Sequence, residues 1–110
     1  MYLVRAPKMR VKNSEIITEI AKCYFLSKKQ CSLMSFSSGK VDPFNLYYKY
    51  YKDVEAAFAL LSDDEKLVIN NDYFYNDYYG WWKSIFSKSE YRLLKRRAEK
   101  DFLRYFYATH

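Results

Sequence analysis

Gly39, Gly80, Pro7 and Pro43 are the only glycines and prolines among 110 residues. An antiparallel β fold turns back on itself every roughly 8–12 residues, and its tight turns draw heavily on these two residue types. A chain with so few of them is expected to be all-α. The apolar residues agree, since they recur at threes and fours, the spacing that lines one face of a helix.

The first helix is expected to start at Asn13 or Ser14 and run to about Lys28, with Ile16, Ile17, Ile20 and Tyr24 on one face. QCSLMSFSSGK, residues 30–40, interrupts that spacing and reads as a loop. Asp42-Pro43 offers an N-cap followed by a proline at the first helical position, where its missing N–H costs nothing. A second helix to about residue 61 follows, carrying Tyr47, Tyr51, Val54, Phe58 and Leu61. Ser62-Asp63-Asp64-Glu65 is a capping box opening a third helix through Leu67, Val68 and Ile69. Asp77 would cap a short fourth, YYGWWKSIF. A second capping box, Ser87-Lys88-Ser89-Glu90, opens the last helix, whose inward face would be Tyr91, Leu94, Ala98, Phe102 and Tyr105. The expectation is one domain, 1–110, a compact bundle of about five helices. Residues 1–12 form a basic arm, 13–57 the N-terminal helices and 58–110 the C-terminal part.

The net charge of +6 is segregated. Residues 1–52 carry ten Lys/Arg against three Asp/Glu, residues 53–82 one against seven, and residues 83–110 eight against three. A small domain with a cationic face most often meets nucleic acid, while pairing of the acidic middle with a basic end would leave only a solvated face. The 13 tyrosines and 8 phenylalanines fit either an AT-rich coding sequence or stacking platforms for a single strand.

Little points to chemistry. The only histidine, His110, stands last in the chain, and no base is placed to activate a Ser or Cys nucleophile. Cys23 and Cys31 have no clustered histidine, and the Asp63-Asp64-Glu65 group is accounted for as a helix cap. Two glycines cannot build a phosphate loop. The chain is therefore expected to be no enzyme and to hold no metal or cofactor. Lacking an apolar run of membrane length or a signal-peptide pattern, it is expected in the cytoplasm, away from membranes.

The stretch FSKSEYRLLKRRAEKDFLRYF, residues 86–106, holds seven Lys/Arg. Lys88, Ser89, Arg92, Lys95, Arg96 and, further along, Lys100 lie off its apolar stripe, and Lys88, Ser89, Arg92 and Arg96 sit in the first turns, near the positive end of the helix dipole. A short helix, a tight turn and a longer basic helix at about 88–107 is the layout of a helix-turn-helix, whose second helix enters the major groove. Trp81 and Trp82 point about 100° apart on a helix, so one is expected in the core and the other as an exposed anchor for a protein partner. In Tyr47-Tyr48-Lys49-Tyr50-Tyr51, spacing puts Tyr47 and Tyr51 in the core and Tyr48 and Tyr50 outside.

LLSDDEKLVI and WWKSIFSKSEYRLLKRRAEKDFL together resemble region 4 of bacterial sigma factors and related phage-type transcription regulators. In that pattern a Ser caps the recognition helix, with apolar positions four, seven, eleven and fifteen beyond it. Tyr91, Leu94, Ala98 and Phe102 stand there after Ser87. The C-terminal sequence is also similar to a family of uncharacterised small proteins from wall-less bacteria with reduced genomes. The family's turn usually carries Gly two residues before the cap, where this chain has Ile85. The resemblance covers about residues 58–106. It implies DNA contacts from Lys88, Ser89, Arg92 and Arg96 and a role in transcription, with RNA as an alternative nucleic acid. Region 4 also touches polymerase, so it equally implies docking on RNA polymerase or another transcription protein through Trp81 or Trp82.

Overall fold

The computed structural model of the chain describes residues 11–38 and 45–108. Among these it is all-helical and contains no strand. Helix α1 is Asn13–Ser38, α2 Leu46–Ala59, α3 Asp63–Ile69 and α4 Lys88–Ala108. A π turn, Asn70–Phe74, continues α3, and a 3-10 turn, Trp81–Ser84, precedes α4. The basic arm (but for its last two residues), the Asp42-Pro43 start and His110 lie outside the described residues.

Both capping boxes form. Ser62 Oγ accepts the Glu65 N–H at 3.3 Å while the Glu65 carboxylate accepts the Ser62 N–H at 2.9 Å. Ser87 and Glu90 exchange the same pair at 3.1 and 2.8 Å. Each box satisfies two N–H groups that a helix start would otherwise leave without partners, which is why α3 and α4 begin where they do. For α2, the described cap is Asn45, whose side chain accepts from Tyr47 and Tyr48 at 2.8 and 3.3 Å.

The core joins Ile17, Ile20 and Tyr24 of α1, Val54 and Ala57 of α2, Val68 and Ile69 of α3, and the inner face of α4. On α4 that face is Leu94, Ala98, Phe102, Leu103 and Phe106, with Tyr91 and Tyr105 half-buried at its edges. Phe102 is fully enclosed.

Four expectations need correcting. First, α1 does not end near Lys28. Ser27 and Cys31 are buried and carry its inner face onward from Tyr24 through residues too small or polar for apolar periodicity to register. Second, the run 30–40 is helix as far as Ser38. Third, Tyr47 is 48% exposed. The packed face of α2 runs through Tyr50, Val54 and Ala57 and is continued just past the helix by Leu61, while Tyr47, in the first turn, extends past it. Tyr50 turns inward against Phe106, ring centroids 5.7 Å apart.

The fourth correction concerns the helix expected over YYGWWKSIF, which would have made five helices and the first half of a helix-turn-helix. Only the four-residue turn Trp81–Ser84 forms there. Gly80 precedes it at φ 84°, a left-handed conformation that glycine adopts freely and that interrupts a helix. The two tryptophans then turn to separate partners: Trp81 Nε1 donates to Asp72 and Trp82 stacks on Tyr91.

Candidate nucleic-acid interface

Helix α4 carries two kinds of cation. Lys95 and Arg97 are engaged: Lys95 Nζ lies 3.0 Å from an Asp72 oxygen and Arg97 Nε 3.3 Å from a Glu65 oxygen. Lys88, Arg92, Arg96 and Lys100 are exposed and form no ion pair or hydrogen bond among the described residues. They step by four along the helix, so they make one row, about 18 Å long at 1.5 Å per residue. Arg104 continues the row, tied to Asp101 at 3.3 Å and lying over the Tyr105 ring at 5.0 Å. Ser89 is exposed beside the first turn.

Like charges four residues apart repel and cost an isolated helix about 0.2–0.5 kcal/mol per pair. The row therefore adds no ion pair or hydrogen bond to the fold among the described residues. A cationic row without an internal counter-charge is what a polyanion's phosphates would complete, each contact releasing condensed counterions.

Beside the apolar core, α4 is tied by a polar cluster on Asp72, in the π turn. The Asp72 carboxylate accepts from Trp81 Nε1 at 2.8 Å, from the Tyr91 hydroxyl and from Lys95. Lys95 Nζ also lies 5.3 Å from the centre of the Tyr73 ring and 5.7 Å from that of Tyr91. Tyr73 in turn donates to Glu99. Burial first, and then the carboxylate each one faces, push the hydroxyls of Tyr73 and Tyr91 to higher pKa, so both stay protonated donors.

A second tie joins α3 to α4. Glu65 is buried. Burial alone would push its carboxyl up, but hydrogen bonds from Asp101, Ser62 and Arg97 hold it below the usual range. Asp101 moves the other way, held above that range by its hydrogen bond to Glu65 and by burial. The Arg97 guanidinium, 3.3 Å from Glu65, favours the charged form of that carboxylate. The acidic middle of the sequence thus does pair with the basic end, through Lys95 and Arg97, but the outer row is left over.

Of the residues singled out from the sequence, Lys88, Ser89, Arg92, Arg96 and Lys100 share the outer side of α4, and Lys95 turns away from them to Asp72. Trp81 and Trp82 are both half-buried, Trp82 lying flat on Tyr91 with centroids 4.4 Å apart and planes 5° from parallel. The exposed apolar groups nearby are instead Tyr78, Tyr79 and Ile85 at 70%, 89% and 56%. Sequence reasoning missed Arg104, whose signal was the continued step of four. It missed Asp72 too, which gathers partners nine, nineteen and twenty-three residues away. No described helix is long and apolar enough to cross a membrane. No family model, no curated protein and no solved structure matches this chain.

Proposed function

We propose that this is a DNA-binding protein acting in transcription, with α4 as its recognition element. One observation carries the reading: Lys88, Arg92, Arg96 and Lys100 form an exposed row of like charge without an internal partner, while their neighbours Lys95 and Arg97 are consumed by carboxylates. In a sigma region 4 helix-turn-helix another helix would cross the backbone ahead of α4. Here the Trp81–Ser84 turn and the Asp72 cluster take over its supporting role, clamping the first two turns of α4 through Tyr91 and Lys95. The major groove admits a helix of this width, and Arg92 and Arg96 are suited to bidentate contacts with guanine or phosphate.

The test is binding to a mixed-sequence duplex across a salt series. Four neutralised phosphates give a slope of log K against log salt near −3.6, and Arg92→Ala with Arg96→Ala should bring it down by about 2. A flat response would reject the reading. Preference for structured or single-stranded RNA over the duplex would reassign the same row to RNA.

Tyr78, Tyr79 and Ile85 favour a second reading, a protein-interaction module docking on RNA polymerase or another transcription protein. Exposed tyrosines such as Tyr78 and Tyr79 are typical interface anchors. In that case Tyr79→Ala would abolish the activity and the arginine pair would be dispensable.

A further inference from the structure

A cavity of about 220 Å³ opens between α1, α2 and the π turn, and no residue of α4 lines it. Its walls are aromatic, from Tyr24, Phe58, Phe74 and Tyr75, and its polar lining comes from Glu55 and Asn70. The π turn builds one side. The Tyr75 N–H reaches back five residues to the Asn70 carbonyl at 2.7 Å, and the widened turn brings Asn70, Phe74 and Tyr75 to one wall. Such local π geometry is concentrated at functional sites. Tyr24 and Phe74 meet at 78° with centroids 5.4 Å apart, so the wall offers both a ring face and a ring edge.

The polar groups have capacity to spare. One Glu55 oxygen accepts from Tyr24 at 2.9 Å and the other lies 3.5 Å from Lys52 Nζ. A carboxylate has about four acceptor positions, which leaves room for further N–H donors. Among the described residues the Asn70 side-chain amide has no hydrogen-bond partner, so both its donor and its acceptor are available. Two ammonium groups each touch a lining residue: Lys52 Nζ lies 3.5 Å from Glu55, and Lys28 Nζ 3.4 Å from the Tyr24 hydroxyl.

A carboxylate among aromatic rings would by itself suit an alkylammonium ion. The two lysines argue against that and for a ligand whose outer end is anionic. Size narrows it further, since drug-sized ligands occupy roughly 300–1,000 Å³, and this space fits a single heteroaromatic ring system. A nucleobase meets every condition. Its faces stack on aromatic rings, and its edge mixes the donors and acceptors that Glu55 and Asn70 complement. We propose that this cavity binds a nucleobase, with the phosphate of the same nucleotide held at the rim by Lys28 and Lys52. The base comes either from a free mononucleotide or from a single strand that splays it out.

Calorimetric titration of the full chain tests this, using each of the four nucleoside 5′-monophosphates, their nucleosides, a short single-stranded oligonucleotide, inorganic phosphate and tetramethylammonium. At least one monophosphate should bind. Tyr75→Ala, at a half-exposed position that spares the core, and Asn70→Ala should each weaken it about tenfold or more. Lys28→Ala with Lys52→Ala should weaken the monophosphate and leave its nucleoside unchanged. With Arg92→Ala/Arg96→Ala in place to weaken the α4 row, a single strand binding more tightly than the mononucleotide identifies the strand as source, and equal affinity the free nucleotide. No binding by any monophosphate, equal binding of phosphate alone, displacement by tetramethylammonium, or indifference to Asn70→Ala and Tyr75→Ala would each overturn the proposal. Arg92→Ala/Arg96→Ala should leave this binding intact, so the cavity and the α4 row stand or fall separately.

Discussion

Lys95 and Arg96 are adjacent in the chain and have opposite circumstances. Lys95 is half-buried, paired with Asp72 and flanked by two tyrosine rings; Arg96 is exposed and touches no acid among the described residues. The same division runs along α4, with Lys95 and Arg97 facing the carboxylates of α3 and the π turn and Lys88, Arg92, Arg96 and Lys100 facing away. A charge count cannot separate the two sets. What separates them is which carboxylate stands opposite: Lys88 lies seven residues from Lys95, only about 20° of helix rotation away, yet of the two Lys95 alone stands level with Asp72. The first set stabilises the fold, and the second is available for an external partner.

The comparison can be broken most severely from the inner face. Phe102→Ala should remove about 3–5 kcal/mol of stability, since the ring is fully enclosed and the cavity it leaves cannot refill. Urea denaturation measures this, and a loss under about 1 kcal/mol would mean that α4 is not packed as described. Next comes Asp72→Ala, which strands Lys95, the Trp81 indole N–H and the Tyr91 hydroxyl together. Losing these partners should cost about 2–3 kcal/mol and alter tryptophan emission. Ser62→Ala, which uncaps α3, should cost about 1 kcal/mol.

A pH series sharpens the inner set. Glu65, with its pKa lowered in the fold, contributes stability that is present above its unfolded pKa and lost as pH falls through the lowered value. Asp101, with its pKa raised, contributes stability that is present below its unfolded pKa and lost as pH rises through the raised value. Asp101→Asn donates to Glu65 at every pH, so the decline in Tm on the rising-pH side should disappear while the acid side remains. The smallest effect on folding belongs to the outer row. Arg92→Ala or Arg96→Ala should change stability by no more than about 0.5 kcal/mol, with relief of like-charge repulsion acting in the opposite direction.

The local signals were legible where the physics is local. Ser62–Glu65 and Ser87–Glu90 announce their helix starts because both partners lie within one turn, and the inner face of α4 follows from spacing through Leu94, Ala98 and Phe102. Reading failed where partners converge from a distance or where small residues pack. Cys31 and Ser27 extend the core of α1 without an apolar signature. The Trp81–Ser84 turn replaces a helix because Asp72 and Tyr91 each claim one tryptophan, and neither partner is near in sequence. Periodicity places Lys88, Ser89, Arg92, Arg96 and Lys100 off the apolar stripe, and all five are exposed; Lys95, placed with them, is turned inward by the fold. That exception is visible only once Asp72 is in place.

The central claim is that the outer row of α4 exists for a polyanion and not for the fold. Fluorescence anisotropy with a mixed-sequence duplex, run over a salt series on wild type and on Arg92→Ala/Arg96→Ala, tests it most directly. The account predicts steeply salt-dependent binding that the double variant largely loses while its unfolding midpoint stays in place. Salt-independent binding, no binding at low salt, or a double variant that binds as the wild type does would contradict it.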